Sequence, residues 1–374
     1  MDQAARVNDP ERWDEFSPLD PELVEMLENG VQRRLPGIGS SASALAQTRA
    51  AWHQALRDDT DKLLAAASGD VTEAELFIPV QDGHKVRALL YRCHNSPEQE
   101  NENKPLVIMI HGGGFCIGSP EMESAACIRT VQACRCVAVS LDYRLAPESK
   151  FPTAYEDCWD AIRWVKQQPF SLPDVLTGLH SNNCLQVIDN ASALQVDLSQ
   201  GFVLGGSSAG GHITIPLIHR ARDIGLYPPI TGVYLSAFPT LVPQAMTDKY
   251  QDLYKSRESL GRNANGSLSS KSIAFFDQVV SPDITSPLWN PLLWPTGHAD
   301  LPPHFFQICG SDILRDEALI YERELRLDNQ IQTRVIVYPG MPHIFWYSYP
   351  THSLSSKFAE NCTEGLKWLL DGRR

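Results

Sequence analysis

The sequence lacks an apolar stretch long enough to cross a membrane, since its longest apolar run is LVIMI, Leu106 to Ile110. Its first residues, MDQAARVNDPERWDEF, are polar and acidic and contain no apolar core of a secretory signal, so we expect a cytoplasmic protein. Basic residues are also scarce, because 32 Lys and Arg against 45 Asp and Glu give a net charge of −13. Nucleic-acid binding depends on basic surface, so no nucleic-acid partner is expected.

Cysteine pairs with the spacing of a metal site are missing as well. The nine cysteines are scattered and odd in number, and Cys134 and Cys136 lack the two-residue gap of the usual metal or redox pairs. We therefore expect reduced thiols, most of them buried, and neither a bound metal nor another cofactor.

What remains is an ordinary globular composition, with 43% hydrophobic and 21% charged residues. Apolar runs alternate with helical stretches along most of the chain, which predicts an α/β fold with a mostly parallel central sheet and helices on both faces. The predicted strands are AELFIPV, KVRALLYR, PLVIMI, CVAVSL, GFVL, TGVYLSAF, HFFQICG and RVIVYPG.

Three regions depart from this alternation. Residues 1–67 have apolar residues at helical spacing but no strand, 171–199 is polar, and 239–287 is rich in Ser, Asn, Asp and Lys. We expect 171–199 to be a surface insertion in a catalytic domain spanning 68–374, and 1–67 and 239–287 to form a helical cap over the strand ends. The alternative for 1–67 is that it covers a sheet edge or a dimer surface. The sequence does not fix the oligomeric state, and a homodimer is kept as one option.

A turn rich in glycine and serine follows the strand GFVL and precedes the helical stretch HITIPLIHRARD. A nucleophile elbow needs small residues two positions before and two positions after its serine. Ser208 has Gly206 and Gly210 at these positions, whereas Ser207 has Ala209 on one side, which fits less well. We therefore predict Ser208 as a nucleophile, with a plain strand-to-helix turn as the alternative.

Other strand ends carry residues that would complete a serine hydrolase. HGGGF follows PLVIMI and exposes the N–H groups of consecutive glycines, while Asp312 and His343 follow the last two strands. The order Ser, Asp, His is that of α/β-hydrolases, in which the histidine is the base and the aspartate fixes its tautomer. The predicted site residues are Ser208, Asp312 and His343 as catalytic triad, and Gly113, Gly114 and Ala209 as oxyanion hole.

Each motif also has a plainer interpretation when taken alone. HGGGF is then a plain loop, and His343 is a histidine in a loop. Asp312 is then a carboxylate that caps a helix, a role that suits Asp316 better. The combination of all parts in one order favours the catalytic interpretation.

The motifs HGGGF, DYRLAPE, GSSAGG, SDILRDE and GMPHIF together resemble those of the hormone-sensitive-lipase family of carboxylesterases, which includes arylacetamide deacetylase-like enzymes. The resemblance runs from about Ala74 onward. It implies an α/β-hydrolase fold with a cap, ester hydrolysis without a cofactor, the triad above, and a scaffolding role for DYRLAPE. In one departure, the family commonly has Asp before the nucleophile, where this chain has Ser207.

The function predicted from these motifs is that of a serine carboxylesterase, which hydrolyses short- to medium-chain esters through an acyl-enzyme. Its expected partner is a small-molecule ester. One alternative is an acyltransferase, or a hydrolase that forms or opens lactones on a natural-product pathway. Another is a non-catalytic small-molecule receptor, like the gibberellin receptors, which resemble this family but lack the catalytic histidine. The presence of His343 argues against a receptor.

Overall fold

The central sheet matches the prediction. The computed structural model describes residues 3–31, 34, 42–67, 69–94, 103–165, 194–261 and 268–372. The strands in these residues are β1 (Val71–Pro79), β2 (Lys85–Cys93), β3 (Leu106–Ile110), β4 (Val137–Asp142), β5 (Phe202–Ser207), β6 (Gly232–Ser236), β7 (His304–Cys309) and β8 (Thr333–Tyr338). Their order is β1-β2-β4-β3-β5-β6-β7-β8. Strand β2 is antiparallel to both of its neighbours, β1 and β4, and the other adjacent pairs are parallel. The predicted α/β class is therefore confirmed.

Helices surround this sheet and precede it in the chain. In the part of the chain that the structure describes they are α1 (Gln3–Asn8), α2 (Pro21–Glu28), α3 (Ala42–Ala66), α4 (Ser124–Cys134), α5 (Thr153–Val165), α6 (Ala209–Asp223), α7 (Asp248–Gln251), α8 (Ser256–Ser259), α9 (Ser270–Val280), α10 (Arg315–Arg323), α11 (Phe345–Ser348) and α12 (Ser353–Asp371). None of these helices combines the length and the apolar character needed to span a bilayer.

Strand β3 illustrates why the sheet needs helices on both faces. All five of its residues are buried, because successive side chains point to opposite faces and both faces are covered. Ile108 and Ile110 join the core under α5, α6 and α10, while Val107 and Met109 join the core under α4 and α12. A continuous apolar run is thus the sequence of a strand in the middle of the molecule.

Two sequence predictions differ from the structure or lie outside it. The sequence after the seventh strand predicts one helix over 316–328, whereas the α-helix of the structure ends at Arg323 and continues as a π-helical turn, Glu324–Asp328. The side-chain amide of Asn329 donates to the carbonyl oxygen of Glu324 at 2.9 Å, which satisfies one acceptor at this end. Most of the insertion expected at 171–199 lies outside the described residues.

The N-terminal helices pack against the loops at the carboxyl ends of the strands. From α3, the Arg49 guanidinium donates to the carbonyl oxygens of Cys116, after β3, and Ala146, after β4, at 2.7 and 2.6 Å. The same α3 buries Trp52 and Leu56 in the main core. In the segment 239–287, the described residues form the short helices α7, α8 and α9.

Candidate active site

The backbone at Ser208 is strained, as a nucleophile elbow requires. Strand β5 ends at Ser207 and α6 begins at Ala209, and between them Ser208 has φ 53° and ψ −118°. A Cβ on Gly206 would lie 2.4 Å from the carbonyl oxygen of Ile110, and one on Gly210 would lie 1.9 Å from it. Neither position can hold a side chain, so the two glycines allow the sharp turn.

The structure brings the three residues of the predicted triad together. The Ser208 Oγ lies 2.9 Å from His343 Nε2, and His343 Nδ1 lies 2.6 Å from an oxygen of Asp312. All three side chains are buried. The second oxygen of Asp312 accepts from the N–H of Leu314 at 3.1 Å, which holds the carboxylate in place.

The neighbouring serine has different partners. The hydroxyl of Ser207 accepts from the hydroxyl of Ser236 at 3.0 Å and donates to the carboxylate of Glu123. Ser207 therefore points away from His343, and the structure pairs the imidazole with Ser208.

The glycine loop after β3 lies beside the same turn. Gly113 has φ of 113°, and a Cβ added to it would lie 2.1 Å from the Ile117 carbonyl oxygen. Gly114 has φ of 58°, and a Cβ added to it would lie 2.6 Å from the Phe276 ring. Within the described residues, the N–H groups of Gly113, Gly114 and Ala209 donate no hydrogen bond. Three donors without a partner therefore adjoin Ser208, and an oxyanion could accept their hydrogen bonds.

His111 and Tyr143 contact each other and the backbone of this loop. Their rings stack with centroids 4.2 Å apart, and the Tyr143 hydroxyl donates to the carbonyl oxygen of His111 at 3.0 Å. Burial lowers the pKa of His111 to about 4, so its imidazole is neutral near pH 7. The neutral ring can donate from Nδ1 to the carbonyl oxygen of Gly112 at 2.7 Å.

The charged residues of DYRLAPE form ion pairs. Arg144 pairs with the buried Asp157 and with Asp82, each at 2.6 Å. Glu148 pairs with Arg49 of α3 at 2.9 Å. These contacts link the loop after β4 to neighbouring elements and agree with a scaffolding role.

A cavity of about 70 Å³, which we name the Ser208 cavity, adjoins the serine. Its walls include Phe115 and Trp289, whose ring centroids are 5.2 Å apart. The residues it receives from the segment 239–287 are Pro239, Leu241, Val242, Arg257, Leu268, Ile273, Phe276 and Asp277. None of the described residues of 1–67 lines it.

A buried ion pair holds this segment on the domain. The Arg257 Nε donates to Glu317 of α10 at 2.6 Å, and the Tyr254 hydroxyl donates to the same carboxylate oxygen at 3.0 Å. The other oxygen of Glu317 accepts from the N–H of Thr240 at 2.8 Å. A buried carboxylate with this many donors stabilises one position of the segment.

Sequence reasoning did not identify the residues that shape the cavity. His212 lies one helical turn after Ser208, so its spacing on α6 could have placed it on the same face. Burial lowers the pKa of His212 to about 4, and its Nδ1 lies 3.0 Å from the carbonyl oxygen of Pro239. Trp289 and Phe276 carry no motif, and only their three-dimensional position reveals them.

Asp316 differs from the helix cap expected for it. Its carboxylate accepts from the N–H groups of Lys255 and Ser256, at 2.9 and 2.7 Å, at the start of α8 rather than of its own helix. It also accepts from Arg315 at 2.8 Å. Asp316 therefore belongs to the contact between α10 and the segment 239–287.

One group of side chains in the described residues has the spacing of a metal site: Asp20, Glu22 and His352, between α2 and α12. Each carboxylate already has a local role. Asp20 caps α2, and Glu22 accepts from the N–H of Ser353 at 2.8 Å. These contacts account for the group as a link between the two helices.

Comparison with known proteins identifies the family. A family model described as alpha/beta hydrolase fold matches residues 107–347. The chain belongs to the α/β-hydrolase family. An AB hydrolase superfamily protein of Schizosaccharomyces pombe is 34% identical to it over 360 residues, which are 96% of this chain and 95% of the relative.

Further relatives of this hydrolase include esterases. A versiconal hemiacetal acetate esterase of Dothistroma septosporum is 28% identical over 302 residues, 80% of this chain and 81% of the relative. Among solved structures, a vibralactone cyclase superimposes with a TM-score of 0.81 at 31% identity, covering 96% of both chains. The predicted resemblance to the hormone-sensitive-lipase family is confirmed, and the hydrolase is an enzyme that acts on carboxylic esters.

Proposed function

We propose that this hydrolase cleaves carboxylic esters through an acyl-enzyme on Ser208, with His343 as general base and Asp312 as its orienting carboxylate. The observation that carries the proposal is the hydrogen-bonded series from Ser208 to His343 to Asp312, at 2.9 and 2.6 Å. A serine hydroxyl is barely ionised near neutral pH, so it needs an adjacent base to attack a carbonyl carbon. The short contact to Asp312 keeps the proton on Nδ1 and leaves Nε2 free to accept.

The reaction then follows in two halves. The Ser208 oxygen attacks the ester carbonyl carbon while His343 Nε2 takes the hydroxyl proton, and the proton passes to the alcohol as it leaves. Water next attacks the acyl-enzyme, His343 takes one water proton, and the acid departs as that proton returns to Ser208. Both tetrahedral intermediates carry a negative oxygen, which accepts hydrogen bonds from the N–H groups of Gly113, Gly114 and Ala209.

The Ser208 cavity supports a small acyl group. Its small volume, about 70 Å³, favours a short acyl chain over a long one. The walls are mainly apolar, so each added methylene gains binding free energy until the chain meets Trp289 or Phe276. We therefore place the preferred substrates at the short end of the predicted range, near butanoate esters.

We include a cap in this proposal, and its two segments, 239–287 and 1–67, have different roles. The segment 239–287 contributes cavity walls, and Arg257 holds it against Glu317. Residues 1–67 contribute α3, whose Arg49 steadies the loops after β3 and β4. On this proposal the first piece selects the acyl group, and the second maintains the shape of the oxyanion loop.

Covalent labelling tests the mechanism directly. A fluorophosphonate should add one phosphonyl group to the purified protein, and peptide mass spectrometry should locate it on Ser208. The Ser207→Ala variant should react at the parental rate, whereas Ser208→Ala should not react. Labelling of Ser207, or hydrolysis by a protein that takes up no label, would contradict the proposal.

The similarity to vibralactone cyclase over 96% of the chain favours a second candidate, intramolecular acyl transfer. In that reaction a hydroxyl of the bound acyl group, instead of water, attacks the acyl carbonyl carbon. The bond to Ser208 Oγ breaks, the acyl group leaves as a lactone, and the hydroxyl proton passes through His343 to Ser208. Incubation with ω-hydroxy esters in H₂¹⁸O separates the two outcomes. Hydrolysis yields a hydroxy acid with one ¹⁸O atom, while cyclisation yields an unlabelled lactone.

We also propose a cytoplasmic location, supported by the cysteines. Eight are free thiols in the described residues, and seven of these are buried. At the β8 edge of the sheet, the side chain of Gln3 bonds both backbone groups of Val337, so this position cannot pair with a strand of a second chain; the homodimer that the sequence left open stays a prediction. Fractionation of the source cells and light scattering of the purified chain would check location and assembly.

A further inference from the structure

A second cavity, which we name the Glu123 cavity, lies on the other side of the nucleophile strand. It measures about 230 Å³ and is bordered by α3, α4, α11 and α12. Its walls include the apolar side chains of Leu56, Met122, Trp346 and Phe358. Glu123, Ser207 and Tyr234 contribute polar atoms to the same cavity. Apolar walls with a few converging polar groups are the usual composition of a small-molecule site.

Glu123 is a buried carboxylate without a cation. Its residue is 2% exposed, its Oε1 has no hydrogen-bond partner, and no described Lys, Arg or His forms an ion pair with it. The hydroxyl of Ser207 is its side-chain donor. An isolated carboxylate is costly to bury, and such groups are almost always paired.

Glu121, two residues earlier, provides a contrast on the same wall. Its carboxylate is equally buried, but it pairs with Arg87 at 2.8 Å and lies 3.5 Å from His53. The chain therefore supplies a cation to one glutamate of this turn and not to the other. A ligand that carries a positive charge would complete the partners of Glu123.

We propose that the Glu123 cavity binds a small primary amine, with its ammonium group against Glu123 and its hydrocarbon part between α3 and α12. The ammonium supplies both the charge and the hydrogen-bond donors that Oε1 lacks. The volume of about 230 Å³, more than three times that of the Ser208 cavity at about 70 Å³, leaves room for a small amine such as hexylamine. The site is separate from the catalytic residues, since Ser207 lines it and Ser208 does not.

The pH dependence of binding follows from the groups around the carboxylate. Burial raises the pKa of Glu123 to about 7. Burial also raises the pKa of the titratable groups around it, so that they stay protonated at that pH. These groups are Tyr234 on β6, Tyr347 on α11, Cys127 on α4 and Cys362 on α12. The charged residues of the cavity walls are Arg34, Asp59, Glu121 and Arg129. Among the residues that line the cavity, Glu123 is therefore the group expected to change charge between pH 6 and 8.

Isothermal titration calorimetry of the full chain with hexylamine tests the proposal, with 1-hexanol as the neutral isostere. We expect one hexylamine per chain, bound at least about tenfold more tightly than hexanol at pH 8. The affinity for hexylamine should rise about tenfold from pH 6 to 8 as Glu123 ionises, and that for hexanol should not rise. Equal affinities for the two compounds, or no binding of hexylamine, would overturn the proposal.

Variants locate the bound amine. Glu123→Gln should weaken hexylamine binding at least about tenfold, whereas Glu121→Gln, which removes a charge already paired with Arg87, should change it less than about twofold. Ala126→Phe, which fills the cavity from α4, should also weaken it, and Trp289→Ala in the Ser208 cavity should not. Circular dichroism checks that each variant is folded. If Glu123→Gln does not fold, the pH series on the parent protein tests the role of Glu123 instead.

The same variants can refute the location. Binding that survives Glu123→Gln, or that follows Trp289→Ala instead of Ala126→Phe, would place the amine elsewhere and overturn the assignment. Calorimetry needs no turnover, so its outcome is independent of the proposed esterase mechanism.

Discussion

Ser207 and Ser208 are neighbours in the chain, yet their side chains lie in two different cavities. The positive φ of Ser208 turns its hydroxyl toward His343 and beside three N–H groups without partners. Ser207 keeps the register of β5, and its hydroxyl is occupied between Ser236 and Glu123. A single strained residue therefore separates a hydroxyl that bonds His343 from one that bonds Ser236 and Glu123.

Burial acts on the two cavities in opposite senses. In the Ser208 cavity it lowers the pKa of His212 from 6.5 to about 4, and in the Glu123 cavity it raises the pKa of Glu123 from 4.5 to about 7. Because protonation of His212 is unfavourable in the folded state, the free energy of unfolding falls as pH falls from 6.5 through about 4. Because ionisation of Glu123 is unfavourable in the folded state, the free energy of unfolding falls as pH rises from 4.5 through about 7.

The largest expected effect separates the two serines. Ser208→Ala should lower kcat by about 10⁶, the order of loss for a removed serine nucleophile, because the hydroxyl that lies 2.9 Å from His343 Nε2 is lost. Ser207→Ala should keep most of the activity, since its hydroxyl only joins Ser236 to Glu123. Initial rates on p-nitrophenyl butanoate measure both. A larger loss in Ser207→Ala than in Ser208→Ala would reverse the comparison.

The second effect concerns Asp312, which we propose as the residue that orients the base. Asp312→Asn should lower kcat by about 10⁴, because the amide no longer favours the tautomer with a free Nε2. Asp316→Asn is the matched control, since its carboxylate contacts Lys255, Ser256 and Arg315 but not His343. It should reduce stability and leave kcat within about tenfold. Equal losses of kcat would contradict the assignment of Asp312.

The third effect is on stability and tests the Glu123 side. Glu123→Gln removes a group that prefers the protonated form when folded, so the variant should gain stability relative to the parent as pH rises. The gain should grow from pH 5 to 8 and approach about 3 kcal/mol, the equivalent of the raised pKa. Urea unfolding at a series of pH values measures it. A constant difference across this range would show that Glu123 is not strained by burial.

The smallest effect is on acyl-chain selection. Trp289→Ala enlarges the Ser208 cavity, so kcat/KM should peak at longer acyl chains, with about fourfold gain per added methylene. Ala126→Phe alters only the Glu123 cavity and should leave the peak near butanoate. A series of p-nitrophenyl esters from acetate to decanoate gives both profiles. A parental profile that already rises to decanoate would refute a small acyl cavity.

Local sequence was sufficient for the elbow and the sheet. Gly206 and Gly210 must lack side chains whatever the rest of the chain does, because a Cβ there would overlap the carbonyl oxygen of Ile110. The eight strands were predictable since runs such as LVIMI suit only a strand covered on both faces. Asp312 and His343 were predictable from their places after β7 and β8.

The cavities were not predictable in the same way. Trp289 and Phe276 reach the Ser208 cavity from segments that no motif marks, and Asp316 caps α8, a helix 60 residues away. No sequence motif distinguishes Glu123 from the other acidic residues of the chain. Its lack of a cation is a property of what α3, α4, α11 and α12 place around it.

The α/β-hydrolase fold and the order of serine, aspartate and histidine follow from the sequence, because spacing, glycine and apolar runs act over a few residues. The size of the Ser208 cavity and the isolation of Glu123 arise only when the chain has folded. Both depend on which side chains from distant segments meet, and on the low polarity of the interior in which they meet.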